Sequence, residues 1–145
     1  MIEKSKNVRS IEAGNGRVFA TFPAAVIVFV VDDDERLLVL SSPRRQGWWE
    51  VVNGAMEAGE TVLATALRET REEAGPDLVV HPLGAFHVES FDYDPQVQGM
   101  LSICFLMRYV SGPACPGDDM AGSRVEWWDA ARVETQAERC IPPLD

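Results

Sequence analysis

The spacing of apolar and polar positions divides the chain into short strands and two helical stretches. Ala24 to Val31 is an unbroken apolar, largely β-branched run, the pattern of a strand buried on both faces. Asp32-Asp33-Asp34 reads as a solvated hairpin turn rather than a metal site, and Arg36 to Leu40 returns as a second strand. Ser41 to Gly47 is a basic loop, Trp48 to Val52 a short strand and Asn53-Gly54 a turn. Helical period begins after Gly59-Glu60-Thr61 and runs to about Ala74, where Gly75-Pro76 stops it. Asp77 to Glu89 predicts one or two strands around Pro82 and Gly84, Phe91 to Gln98 a loop, and Leu101 to Val110 a strand. Ser111 to Ser123, rich in Gly, Pro and Asp, predicts a mobile surface loop. Val125 to Trp128 is a last short strand, and Asp129 to about Arg139 a second helix.

Strands on both sides of a central helix, with a terminal helix, predict an α/β chain in which helices sandwich a mixed β-sheet. Residues 1–16 are polar and end in Gly14-Asn15-Gly16, so they read as a flexible leader ahead of one domain over residues 17–145. The apolar run 24–31 is far shorter than the ~18–20 residues of a bilayer span. Three cysteines (Cys104, Cys115, Cys140) without metal-ligand spacing suggest a reducing, cytoplasmic setting. The formal net charge of -10 argues against duplex DNA or an anionic membrane as partner, since both need a basic surface.

Much of that acid is concentrated in one segment. On a helix at about 100° per residue, Val62, Leu63, Ala66, Thr70 and Ala74 share one face, which predicts the buried stripe. Glu69, Glu72 and Glu73 converge on the neighbouring face, and Glu57 and Glu60 lie in the loop just before it. Five carboxylates so close repel one another, and Arg68 and Arg71 offset only part of the charge. Such an oxygen-rich cluster suits a hard divalent cation such as Mg²⁺ or Mn²⁺, although charge pattern alone favours a solvated acidic helix face.

The spacing decides between them. Gly54, Glu60, Arg68, Glu69, Glu72, Glu73 and Gly75 occupy every fixed position of the Nudix box, Gly-x5-Glu-x7-Arg-Glu-U-x-Glu-Glu-x-Gly-U, where U is usually a bulky aliphatic. A chance match at ordinary residue usage is on the order of one in a million for a chain of this length. The sequence therefore resembles the Nudix hydrolase family over roughly residues 17–140. Thr70 and Pro76 stand at the two U positions. Upstream, Trp49-Glu50-Val51-Val52-Asn53-Gly54 replaces the proline and first glycine of the common Trp-x-x-Pro-Gly-Gly run with Val52 and Asn53.

The resemblance implies a Nudix-type α/β/α sandwich that cleaves a phosphoanhydride bond in a nucleoside diphosphate linked to another moiety. Glu69 and Glu73 would be the principal metal ligands, Glu72 would assist, the Gly54 carbonyl would be a further ligand, and Glu57 would join the outer shell. Arg68 would orient the glutamates by pairing with Glu60. The general base stays open between Glu72, Glu73, Asp118, Asp119 and Glu126. Arg44 and Arg45 are candidates for phosphate, because guanidinium groups bind it bidentately. Phe19, Phe22, Trp48, Tyr93 and Trp127 are candidates to stack on a base. Tyr93 stands where a tyrosine resembles the one marking relatives that act on diadenosine polyphosphates. His81 and His87 have no ligand partner nearby and carry no functional reading, and Cys104 reads as core. A Nudix-fold sensor that binds a nucleotide without cutting it is the main alternative, and the intact box speaks against it. The substrate would be a small nucleotide, and a homodimer is compatible with everything above.

Overall fold

The computed structural model describes residues 9–142, so the first eight residues of the expected leader lie outside the described residues. In chain order the elements are β1 (Arg9–Glu12), β2 (Val18–Thr21), β3 (Ala24–Val31), β4 (Leu37–Ser41), β5 (Trp49–Glu50), β6 (Val52–Ala55), α1 (Val62–Ala74), β7 (Val79–Phe91), β8 (Met100–Ser111), β9 (Val125–Trp128), α2 (Ala130–Gln136) and β10 (Cys140–Ile141). β1 and β2 form a separate antiparallel hairpin, so residues 9–12 are a strand and the expected boundary at residue 16 falls inside the hairpin turn.

The remaining strands form one mixed sheet. β3 is parallel to β8, β10 is parallel to β5, and the other pairs are antiparallel. β3 and β4 share only the Val31–Leu37 pair before they diverge. The segment 49–55 enters the gap, pairing first with β4 through β5 and then with β3 through β6. At the other end β7 pairs only with β8, and the register shifts between Val79 and Val80, between Pro82 and Gly84 and between Ala85 and His87, the last two leaving Leu83 and Phe86 as extra residues on β7.

Each face of the sheet carries its own core. Val26, Val28 and Val30 of β3 point to the side of α1, packing with Leu38, Leu40, Val52, Phe105 and Met107 and with Ala66 and Ala74 of the helix. Ile27, Phe29 and Val31 point the other way, where Trp49, Val51 and Trp128 are buried and Val133 of α2 closes over them. The continuous apolar run of β3 is thus explained by a strand covered on both sides, more completely on the α1 side. Asp129 caps α2 by accepting from the Arg132 N–H at 2.9 Å. The layers are an α/β sandwich with α1 and α2 on opposite faces. Among the described residues no helix is long and apolar enough to cross a membrane.

Three local expectations need correction. Leu63 is 44% exposed and does not belong to the buried stripe, which instead runs through Thr65, Ala66, Glu69, Thr70, Glu73 and Ala74. The helix is rotated so that two carboxylates, not a leucine, lie against the sheet. Asn53-Gly54 is not a turn but part of β6, paired with Ile27 and Val26. Finally, residues 111–123, expected as a mobile surface loop, are tied to the rest of the fold at several points. The Cys115 N–H donates to the Ala74 carbonyl at 2.7 Å, the Tyr109 hydroxyl donates to the Gly112 carbonyl at 2.6 Å, and Met120 is buried in the α1-side core. Gly112 has φ +90° and backs so closely onto Asp77 that a Cβ would lie 1.9 Å from its carbonyl oxygen. The glycine that suggested freedom is there for a close approach.

Candidate active site

The chain reverses direction at Gly59 and enters α1 at Thr61, whose side chain accepts from the Ala64 N–H at 3.1 Å. This N-cap fixes where the helix starts, and so which residues meet β6. Glu69 and Glu73, one turn apart, are only 9% and 8% exposed. The Glu69 carboxylate lies directly on Gly54, where a Cβ would sit 2.1 Å from its carboxyl carbon. Gly54 is therefore required as a side chain that is missing, not for backbone freedom. Beside it, Glu73 Oε1 accepts from the Asn53 N–H at 2.8 Å.

Arg68 is the hub of the remaining acids. Its Nε and Nη2 donate to the two oxygens of Glu60 at 2.8 and 3.0 Å, and Nη2 also reaches the Ala55 carbonyl at 3.0 Å. Nη1 donates to Glu69 at 2.8 Å and Glu72 at 3.2 Å, with Glu57 at 3.8 Å. Glu60 further accepts from the Glu57 N–H and the Thr65 hydroxyl. The Arg68 bonds first, and then the Glu57 N–H, pull the Glu60 carboxyl down to about 2. Burial acts the opposite way on the inner pair. It raises Glu69, against the pull of Arg68, and pushes Glu73 up to about 7, with Glu69 and Glu50 adding repulsion. The inner carboxylates thus carry more negative charge than their surroundings neutralise.

That imbalance is what a cation would relieve. The donors are all oxygen, and the cradle over Gly54 brings backbone and carboxylate together, so the residues fit Mg²⁺ or Mn²⁺. Among the described residues no three His, Cys, Asp or Glu side chains stand in ready-made metal-binding geometry. Glu69 and Glu72 both turn to Arg68 instead.

Glu69 and Glu73 face a cavity of about 500 Å³ whose wall also includes Arg44, Asn53, Gly54 and Asp119. The other candidates are placed elsewhere. The Arg45 guanidinium lies 3.7 Å from the centre of the Trp48 ring, and neither residue lines the cavity. Phe22 lines a separate cavity of about 340 Å³ with Arg9 and residues 96–98. Tyr93 is 69% exposed in the loop after β7, Phe19 lies under Arg17, and Trp127 packs on Tyr109. Of the possible bases, Asp119 is on the cavity wall, Asp118 is not, and Glu126 is engaged by the Trp128 indole at 2.9 Å and Arg132 at 2.8 Å.

Sequence reasoning missed Glu50, whose carboxylate is fully buried and bound by Ser42 and Arg44. The signal was available: strand alternation puts Glu50 on the same side as the core residue Val52, an inward-facing charge in an apolar segment.

The family model for the NUDIX domain matches residues 21–143, and the chain belongs to the Nudix family. Among solved structures it resembles a Nudix hydrolase from Nitrosomonas europaea, at 19% identity and TM-score 0.67, over 86% of this chain and 83% of that one. It also resembles a MutT from a study of Aliivibrio salmonicida and Vibrio cholerae, at 22% identity and TM-score 0.57, over 78% and 82% of the two chains. An ADP-ribose pyrophosphatase from Streptococcus suis aligns at 21% identity and TM-score 0.52, over 72% and 73%. At these identities the likeness is one of fold. No curated protein matches by sequence.

Proposed function

We propose that the chain hydrolyses a phosphoanhydride bond in a nucleoside diphosphate linked to another moiety, with Mg²⁺ or Mn²⁺ as cofactor. The observation that carries this reading is the pair of near-buried carboxylates, Glu69 and Glu73, set against the backbone of Gly54 and Asn53 on a cavity wall. Glu69, Glu73, Glu72 and the Gly54 carbonyl would hold the cation, with Glu57 in its outer shell. A divalent ion there screens phosphate oxygens and makes water a stronger acid. Arg68, fixed by Glu60, orients the glutamates. Arg44 lines the same cavity and meets phosphate oxygens, stabilising charge as the bond breaks. Glu72, Glu73 and Asp119 are the candidates to take a proton from the attacking water, and of these Asp119 lines the cavity without being one of the ligands named above.

The names of the structural neighbours, MutT and ADP-ribose pyrophosphatase, support a small nucleotide as substrate: a nucleoside triphosphate, a sugar nucleotide or a dinucleoside polyphosphate. The test is a product-release assay with Mg²⁺ or Mn²⁺ across these three classes, run on wild type and on Glu73→Gln. Turnover of one class by wild type, lost by several orders of magnitude in the variant, is the expected result. A protein that binds the metal but turns over no member of the panel is a sensor, and the reading is then wrong.

A further inference from the structure

We propose that Glu50 is a positioning residue: buried beside the cavity, it holds the Arg44 guanidinium where substrate phosphate oxygens arrive. This rests on the functional reading above and adds to it a residue outside the Nudix box. β5 is two residues long, and alternation sends Trp49 into the α2-side core while Glu50 faces the opposite side. A carboxylate with 0% side-chain exposure is costly unless its oxygens are satisfied. Both are: Ser42 Oγ donates to Oε2 at 2.7 Å, and Arg44 Nη2 donates to Oε1. Ser42 Oγ also accepts from the Arg44 N–H at 3.2 Å, so the turn preceding the arginine is wrapped around the same carboxylate.

The outer half of the pair is not buried. Arg44 is 64% exposed, and only one of its guanidinium nitrogens is engaged by Glu50, so the guanidinium keeps further donors to offer a ligand. Among the described residues lining the cavity Arg44 alone is cationic, against Glu69, Glu73 and Asp119. Arg45, its neighbour, is spent on Trp48. A buried ion pair made for stability alone gains little over apolar packing of the same volume. An ion pair with one partner sealed and the other open to a polyacidic cavity gives a fixed point of positive charge at low reorganisation cost.

The test is a double-mutant cycle of Arg44→Ala and Glu50→Gln, read by calorimetric binding of inorganic pyrophosphate with Mg²⁺. Binding of Mn²⁺ alone and unfolding midpoints are measured on the same proteins. Each single variant is expected to weaken pyrophosphate binding by about tenfold, as for loss of one charge-assisted contact. The double variant should be no weaker than Arg44→Ala, and Mn²⁺ binding should stay within about twofold of wild type. Glu50→Asp, which keeps the charge on a shorter stem, should recover part of the loss. If Glu50→Gln does not fold, Ser42→Ala replaces it, with a smaller loss and the same non-additivity. Additive losses, or a Glu50→Gln protein that binds pyrophosphate as wild type does, overturn the inference while leaving the hydrolase reading in place. Absence of both Mn²⁺ and pyrophosphate binding in wild type overturns the two together.

Discussion

Replacing Glu73 by Gln should make the metal-free protein more stable. The carboxyl is nearly buried and is pushed from an ordinary 4.5 to about 7, chiefly by burial and then by its acidic neighbours. At about 1.4 kcal/mol per pKa unit, the ionised form costs the fold about 3 kcal/mol. The sign follows from proton binding: between 4.5 and 7 the folded chain holds this proton and the unfolded chain does not, so stability falls as pH rises through that window. Glutamine keeps the acceptor for the Asn53 N–H and carries no charge. In urea unfolding with a chelator present, the variant should exceed wild type by about 3 kcal/mol at pH 8 and by only about 1 kcal/mol at pH 5.5. Adding Mg²⁺ should narrow the gap at pH 8, because it stabilises wild type selectively. A gap that is absent, or that does not change with pH, would refute the account of Glu73 as a charge held out of water without a counter-ion.

Other consequences are as direct. Gly54→Ala places a methyl 2.1 Å from the Glu69 carboxyl carbon, so hydrolysis should fall by at least a hundredfold and stability by about 1–3 kcal/mol, read by turnover and urea midpoint. Gly112→Ala strains a left-handed residue and clashes with the Asp77 carbonyl; it should lower the unfolding midpoint as severely while Mn²⁺ affinity in the folded protein is retained. Glu60 is depressed to about 2 by Arg68, so its contribution to stability is present above pH 4.5 and is lost as pH falls toward 2. Arg68→Ala should flatten that acid limb of the stability profile.

The parts of this molecule that were legible in its sequence are those governed by local period. The box helix could be placed because Thr61 and Gly75 mark its ends and because its glutamates recur at helical spacing. The mixed sheet between helices followed from strand and helix patterns in order. What escaped was set by contacts between distant segments. Asn53-Gly54 has the chemistry of a turn, yet the approach of Glu69 makes the same glycine indispensable inside a strand. Leu63 lost its place on the buried stripe to acids that a simple amphipathic reading assigns to solvent. The Gly- and Pro-rich stretch after β8 looked free because composition does not reveal that its glycines lie against Asp77 and the end of α1. Glu50 was passed over although strand alternation already turns it inward, and its partners, Ser42 and Arg44, lie in the loop just before β5.

The two extra residues in β7 bear on what its open edge can pair with. β7 is thirteen residues long and ends the sheet, so its outer row of amides and carbonyls could template another strand. The extra residues are Leu83 and Phe86, which have no partner opposite on β8, and both are exposed apolar side chains. Each extra residue bends the strand and breaks the even repeat that edge-to-edge pairing needs. Pro82, beside the first, also removes a donor. A chain with Leu83 and Phe86 deleted would offer a straighter border along its longest strand, and a greater tendency to pair edge to edge is the expected consequence.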